Sequence, residues 1–176
     1  HKAGKDTEAL FQEIDKRLLG DSPLSTIEAM NKLGRCSLAF HPGTSWEYGT
    51  SADVLGAIIE IVSGIRFGEF LKEELFEPLG MRDTGFWVPV EKRNRLVKTY
   101  ADNNNGDLEL YTGNNLGIIN QMDREPAFES GGAGLVSTID DYAKFTRMLM
   151  NKGSFEGVQI LRPHTVKYLT SGTLNS

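Results

Sequence analysis

One stretch constrains the fold of this chain more than any other: residues 41–64, HPGTSWEYGTSADVLGAIIEIVSG. A Pro-Gly turn and an aromatic pair, Trp46 and Tyr48, precede a segment that is apolar around most of a helical circumference. Such a helix packs against neighbours on several sides. We therefore expect a central helix, with Tyr48 just before its first turn. The remaining narrow stripe of polar or small residues comprises Asp53, Gly56, Ala57, Glu60 and Ser63.

The bulk properties are those of an ordinary globular protein. A length of 176 residues predicts a single domain over residues 1–176, with room for a real core. The formal net charge of −5 argues against a nucleic-acid partner. No apolar run approaches the roughly 18 residues of a membrane span. The three histidines are scattered, so their spacing predicts no metal site, and Cys36 alone forms no internal disulfide, which leaves the localisation open.

The periodicity predicts a mainly α protein with small β hairpins, an α+β fold. Ser25 and Glu28 fit a capping box, in which each side chain satisfies a free backbone N–H of a helix start. An Asn-rich turn favours a hairpin between 98–101 and 108–111. A short strand is expected at 83–88, and 113–126 is expected to be a loop. The predicted helices lie at 6–19, 25–33, 51–63, 67–77, 90–97 and 139–152, with a last one from Pro163.

Two features have both a structural and a functional interpretation. On spacing alone, Tyr48 is favoured as a core aromatic whose hydroxyl is tied to a backbone group. The glycine-rich run Gly131, Gly132 and Gly134 is not a phosphate loop, because a preceding apolar strand and a Lys-Ser/Thr pair are absent. We favour a backbone-permissive turn.

The amino-acid sequences of three segments, in this order along the chain, resemble those of the serine β-lactamase and penicillin-binding-protein superfamily, in particular its esterase-like branch. These segments are PGTSWEYGTSADVLGAIIEIVSG, FGEFLKEELFEPLGMRDTGF and GGAGLVSTIDDYAKFTRML. The resemblance covers residues 40–169. It implies an acyl-serine hydrolase built from an α/β sandwich and a helical domain, with no metal or organic cofactor. This chain resembles the middle, mainly helical segment and lacks most of the sandwich.

The chemistry of that family uses three motifs: Ser-x-x-Lys with the nucleophile, Tyr-x-Asn or Tyr-x-Ser, and a Lys-Thr-Gly-like triplet on the oxyanion strand. Only the second can be placed here, at Tyr48-Gly49-Thr50. The resemblance implies that Tyr48 is a general base and acid. It places Thr50 where Asn or Ser is usual, and it places Gly131 and Gly132 beside the substrate cleft.

The other two motifs are missing: no Ser or Thr has a Lys three residues on, and no Lys-Thr-Gly follows the last helix. We therefore expect a fragment of a longer hydrolase of ester, amide or β-lactam-like substrates that is inactive alone. It should expose an apolar face to the missing sandwich and self-associate through it. The alternative is a catalytically dead homologue or a non-catalytic helical interaction module. A Ser-x-x-Lys upstream of His1 would distinguish the two.

Overall fold

A computed structural model describes residues 4–18, 21–103, 105–111 and 124–172, and confirms a mainly helical fold with small β hairpins. A 3₁₀ helix covers Val90–Arg95. The α-helices are α1 (Lys5–Leu18), α2 (Thr26–Leu33), α3 (Ser51–Ser63), α4 (Phe67–Leu71, continued by a π-helical turn over Lys72–Phe76), α5 (Ile139–Met150) and α6 (Pro163–Leu169). The antiparallel hairpins are β1 (Tyr100–Asp102) with β2 (Leu108–Leu110), and β3 (Ser154–Phe155) with β4 (Val158–Gln159).

Local polar signals set the helix bounds. Glu28 N–H donates to Ser25 Oγ at 3.3 Å, and Ser25 N–H donates to a Glu28 carboxylate oxygen at 2.9 Å, which confirms the predicted capping box. Thr138 Oγ1 accepts the N–H of Asp141 at 3.2 Å at the start of α5. Helix α3 ends at Gly64, whose φ of 77° is open to glycine at no steric cost.

One of the smaller β predictions needs correction. The strand expected at 83–88 is reduced to one isolated bridge, Gly85 with Val136. One reason is that the backbone N–H of the neighbouring Asp83 donates to the side chain of Asp141 instead of to a partner strand. The loop expected at 113–126 lies largely outside the described residues.

The chain divides into two compact units. The first comprises His1–Phe67 and Phe86–Leu135, and the second comprises Gly68–Gly85 and Val136–Ser176. That residues 1–176 form one domain stays a prediction. The core of the first unit consists of Leu10, Ile14, Leu24, Ala29, Met30, Ala57 and Phe128. The core of the second consists of Phe76, Leu79, Met81, Met148 and Phe155.

A buried carboxylate organises the second unit. Asp141 accepts hydrogen bonds from Asp83 N–H at 2.7 Å, Thr84 Oγ1 at 3.0 Å and Lys144 Nζ at 3.0 Å. Burial raises the pKa of Asp141, but the hydrogen bonds from Asp83, Lys144 and Thr84 outweigh it, so the pKa lies below its usual value. The carboxylate thereby holds the segment at 83–84 to the start of α5.

We predict that Asp141→Asn lowers the free energy of unfolding by about 2 kcal/mol at pH 7, because the charge-assisted hydrogen bonds to this buried carboxylate are weakened. The deficit should shrink as the pH falls below about 4. A carboxyl whose pKa is depressed in the folded state stabilises it fully above the unfolded pKa and loses this contribution as it protonates. Urea denaturation at several pH values measures both effects.

Asp140→Asn is the matched control, since Asp140 precedes Asp141 on the same helical turn and is exposed. It should change stability by no more than about 0.5 kcal/mol. Equal effects of the two substitutions would show that the side-chain contacts of Asp141 do not stabilise the unit.

Candidate functional site

The helix that follows Tyr48 is oriented with its small and polar residues inward. Asp53, Gly56 and Ala57 are buried, and α2 packs against the helix. A Cβ on Gly56 would lie 3.3 Å from the Phe67 ring, so glycine allows this close approach. The large apolar residues form an exposed stripe, here called the apolar stripe: Val54, Leu55, Ile58, Ile61 and Val62. The prediction of neighbours on several sides is therefore wrong for the part of the chain that the structure describes.

Tyr48 lies on the surface, just ahead of α3. Its side chain is 67% exposed, so the interpretation as a core aromatic is wrong. The carbonyl of Thr50 accepts the N–H groups of Asp53 at 3.0 Å and Val54 at 3.2 Å, which starts the helix. The tyrosine is thus presented two residues before a hydrogen-bonded helical turn.

The glycine-rich loop, residues 130–134, is fastened to the same turn by one carboxylate. Asp53 Oδ1 accepts a hydrogen bond from Ser130 Oγ at 2.6 Å and one from Gly132 N–H at 3.3 Å. Ser130 Oγ in turn accepts the N–H of Ala133 at 3.1 Å. Asp53 is only 5% exposed, so its charge is offset by these contacts rather than by bulk water.

Close backbone packing accompanies these hydrogen bonds. A Cβ on Gly131 would lie 2.2 Å from the carbonyl oxygen of Ala52, which is too close for any residue but glycine. A Cβ on Gly132 would meet Asp53 at an ordinary 3.6 Å. The glycine at 131 is therefore required where the loop touches α3.

The segment before the loop is fixed to α2. Glu129 is buried, and its N–H donates to Thr26 Oγ1 at 2.9 Å. Its carboxylate pairs with Arg66 at 3.0 Å, and Arg66 also binds Glu125 at 2.7 Å and the carbonyl of Pro126. The glycine-rich loop is thus anchored to α2 on one side and to α3 on the other.

Some of the residues predicted for the site lie close together in the structure. Thr50 and Gly132 meet through Asp53, which bonds to both. The roles of Tyr48, Thr50, Gly131 and Gly132 stay predictions. Sequence reasoning missed Asp53 and Ser130. The available signal for Asp53 was a lone carboxylate in the first turn of a very apolar helix, a position where burial demands a partner.

The described residues include no group of three or more His, Cys, Asp or Glu that could hold a metal ion. Within the same ranges, no helix is long and apolar enough to cross a membrane.

Comparison with known proteins defines the class. The structure superposes on EstCE1, a hydrolase with promiscuous acyltransferase activity, with a TM-score of 0.66 at 27% identity, covering 82% of this chain and 39% of that one. The sequence matches the family described as Beta-lactamase over residues 5–176. The chain therefore belongs to the β-lactamase family, within the serine β-lactamase and penicillin-binding-protein superfamily, which confirms the predicted resemblance.

Curated relatives include both uncharacterised proteins and esterases. Protein Rv1367c of Mycobacterium tuberculosis is 30% identical over 154 residues, covering 81% of this chain and 34% of that protein. Lovastatin esterase of Penicillium rubens is 35% identical over 113 residues, covering 64% of this chain and 28% of the esterase. The chain thus spans about a third of the length of the curated relatives it matches.

We predict opposite tolerance at two neighbouring glycines. Gly131→Ala should lower the free energy of unfolding by about 1–3 kcal/mol, because its methyl group overlaps the Ala52 carbonyl. Gly132→Ala should change it by no more than about 0.5 kcal/mol. Chemical denaturation, with NMR shifts of the first turn of α3, measures both. Equal stabilities, with unshifted α3 resonances in Gly131→Ala, would contradict the close packing.

Proposed function

We propose that this chain is part of a serine hydrolase that works through an acyl-serine intermediate, and that it supplies Tyr48 as general base and acid. The observation that carries the proposal is the exposure of Tyr48, 67%, at the start of a helix whose first turn is fixed by hydrogen bonds. An exposed tyrosine at such a position can, as the phenolate, accept the proton of an attacking serine. The phenol that forms can then donate this proton to the leaving group. Membership of the family supports the same role.

The proposed substrates are esters, amides or β-lactam-like compounds, with no metal or organic cofactor. Lovastatin esterase, a relative by sequence, supports the ester class. The nucleophile, its lysine and the oxyanion strand belong to the rest of the hydrolase, because this sequence has no Ser-x-x-Lys. The 176 residues alone form no acyl-enzyme and are inactive. Thr50, Gly131 and Gly132 border the cleft.

The apolar stripe is the surface on which the rest of the hydrolase docks. Its five side chains are large, uncharged and exposed along one face of α3. Apolar surface of this continuity marks an interaction site rather than an ordinary protein surface. The relatives, of which this chain covers about a third, have further chain to place there. In the isolated chain the same stripe supports self-association.

We predict that Tyr48→Phe lowers kcat of the full-length hydrolase roughly 100- to 10,000-fold, because the proton carrier at the nucleophile is lost. Hydrolysis of a chromogenic ester measures it. Tyr168→Phe is the matched control, since Tyr168 is 66% exposed against 67% for Tyr48, and it should leave kcat unchanged. Full activity of Tyr48→Phe would refute the role of Tyr48. A full-length sequence without Ser-x-x-Lys would refute the hydrolase and leave the interaction module.

We predict that a charge on the apolar stripe destabilises only the complete protein. Ile61→Lys should change the stability of the 176-residue chain by no more than about 0.5 kcal/mol, because Ile61 is 64% exposed there. In the full-length hydrolase it should cost about 2 kcal/mol or more, because the ammonium group is buried.

Val97→Lys is the control. Val97 is 83% exposed and does not belong to α3, so this substitution should have little effect on the stability of either protein. Denaturation of both proteins measures the contrast, and sedimentation of the isolated chain reports whether Ile61→Lys abolishes self-association. An Ile61→Lys effect equal to that of Val97→Lys in the full-length protein would show that nothing docks on the stripe.

A further inference from the structure

Asp53 is hydrogen-bonded to both segments of the candidate site. Its backbone N–H donates to the carbonyl of Thr50 at 3.0 Å, in the turn that follows Tyr48. Its side chain accepts from Ser130 Oγ at 2.6 Å and from Gly132 N–H at 3.3 Å, in the glycine-rich loop. We propose that Asp53 is a positioning residue, which fixes the glycine-rich loop relative to Tyr48 in the acyl-transfer site. This rests on the proposed function.

The bonding pattern assigns both contacts to one oxygen atom. Oδ1 accepts from the hydroxyl of Ser130 and from the amide of Gly132. A single acceptor that bonds residues 130 and 132 together fixes the curvature of the loop as well as its distance from the helix. Ser130 extends the pattern, because its Oγ also accepts the N–H of Ala133.

Steric contact makes this arrangement rigid. The backbone at Gly131 lies so close to the carbonyl of Ala52 that no Cβ fits between them. The hydrogen bond from Ser130 to the Asp53 carboxylate holds the loop at this distance. The loop can therefore move neither toward α3 nor, without breaking two hydrogen bonds, away from it. Small misplacements matter in such a site, because an error of about 1 Å in a reacting geometry can cost about 100-fold in rate.

The same pattern predicts which substitutions preserve the function. The amide oxygen of asparagine has two lone pairs, so Asp53→Asn can still accept from both Ser130 and Gly132. Asp53→Ala removes the acceptor of the hydrogen bonds from Ser130 and Gly132. Ser130→Ala removes one donor and the acceptor for Ala133, whereas Ser130→Thr keeps the hydroxyl.

The test measures kcat and KM of the full-length hydrolase per titrated active site. Asp53→Ala should lower kcat about 10- to 100-fold with a smaller change in KM, and Asp53→Asn should recover most of the loss. Ser130→Ala should also lower kcat. The double variant Asp53→Ala with Ser130→Ala should fall little further than Asp53→Ala, because both single substitutions remove the same hydrogen bond between Ser130 and Asp53. Asp141→Asn, which destabilises the other compact unit, should leave kcat per active site unchanged.

Unchanged kcat in Asp53→Ala, while Tyr48→Phe is impaired, would overturn the role of Asp53 and leave the proposed function intact. Unchanged kcat in Tyr48→Phe would refute the proposed role of Tyr48 itself. Equal losses in Asp53→Ala and Asp53→Asn would also overturn the proposal, because the geometry requires an acceptor and not a charge. A loss in Asp141→Asn as large as that in Asp53→Ala would reduce the effect to general destabilisation.

Discussion

The arrangement of the candidate site depends on one buried carboxylate, that of Asp53. A carboxylate removed from water costs several kcal/mol unless it is hydrogen-bonded. Here the compensation comes from the hydroxyl of Ser130 and the amide of Gly132. The helix start and the glycine-rich loop are therefore stable only together, since neither alone satisfies the groups that the other buries.

The orientation of α3 follows from the same requirement. The face that carries Asp53 also carries Gly56 and Ala57, and these small side chains let Phe67 and α2 approach closely. The face of largest hydrophobicity is then left outward, as the apolar stripe. For a helix in a self-sufficient fold this order would be reversed, because burying large apolar side chains contributes most to stability. In the proposed hydrolase, the helix has two sets of neighbours, of which the described residues provide one.

The sequence predicts the features that local chemistry determines. Ser25 with Glu28 and Thr138 start helices where expected, because a capping side chain acts within three residues. The family could be predicted because the sequences of three segments are characteristic of it. The inward face of α3 could not be predicted, because periodicity identifies an apolar face but not what covers it. The contact between Asp53 and Ser130 spans 77 positions of the chain, a separation at which no local pattern operates. The exposure of Tyr48 was not predicted either, because a local pattern does not show which distant residues cover a side chain.

In the proposed hydrolase, α3 meets two demands that usually fall to different elements. Acyl transfer needs a nucleophile and a proton carrier from separate segments to be held within hydrogen-bond reach of each other. The N-terminal turn of α3 presents Tyr48, and the apolar stripe of the same helix is the surface for the part that brings the serine. Because the helix is rigid and contacts both Tyr48 and the docked part, it fixes the position of the serine relative to the tyrosine. The hydrogen bonds of Asp53 then extend that frame to the glycine-rich loop, so three segments far apart in sequence share one reference element.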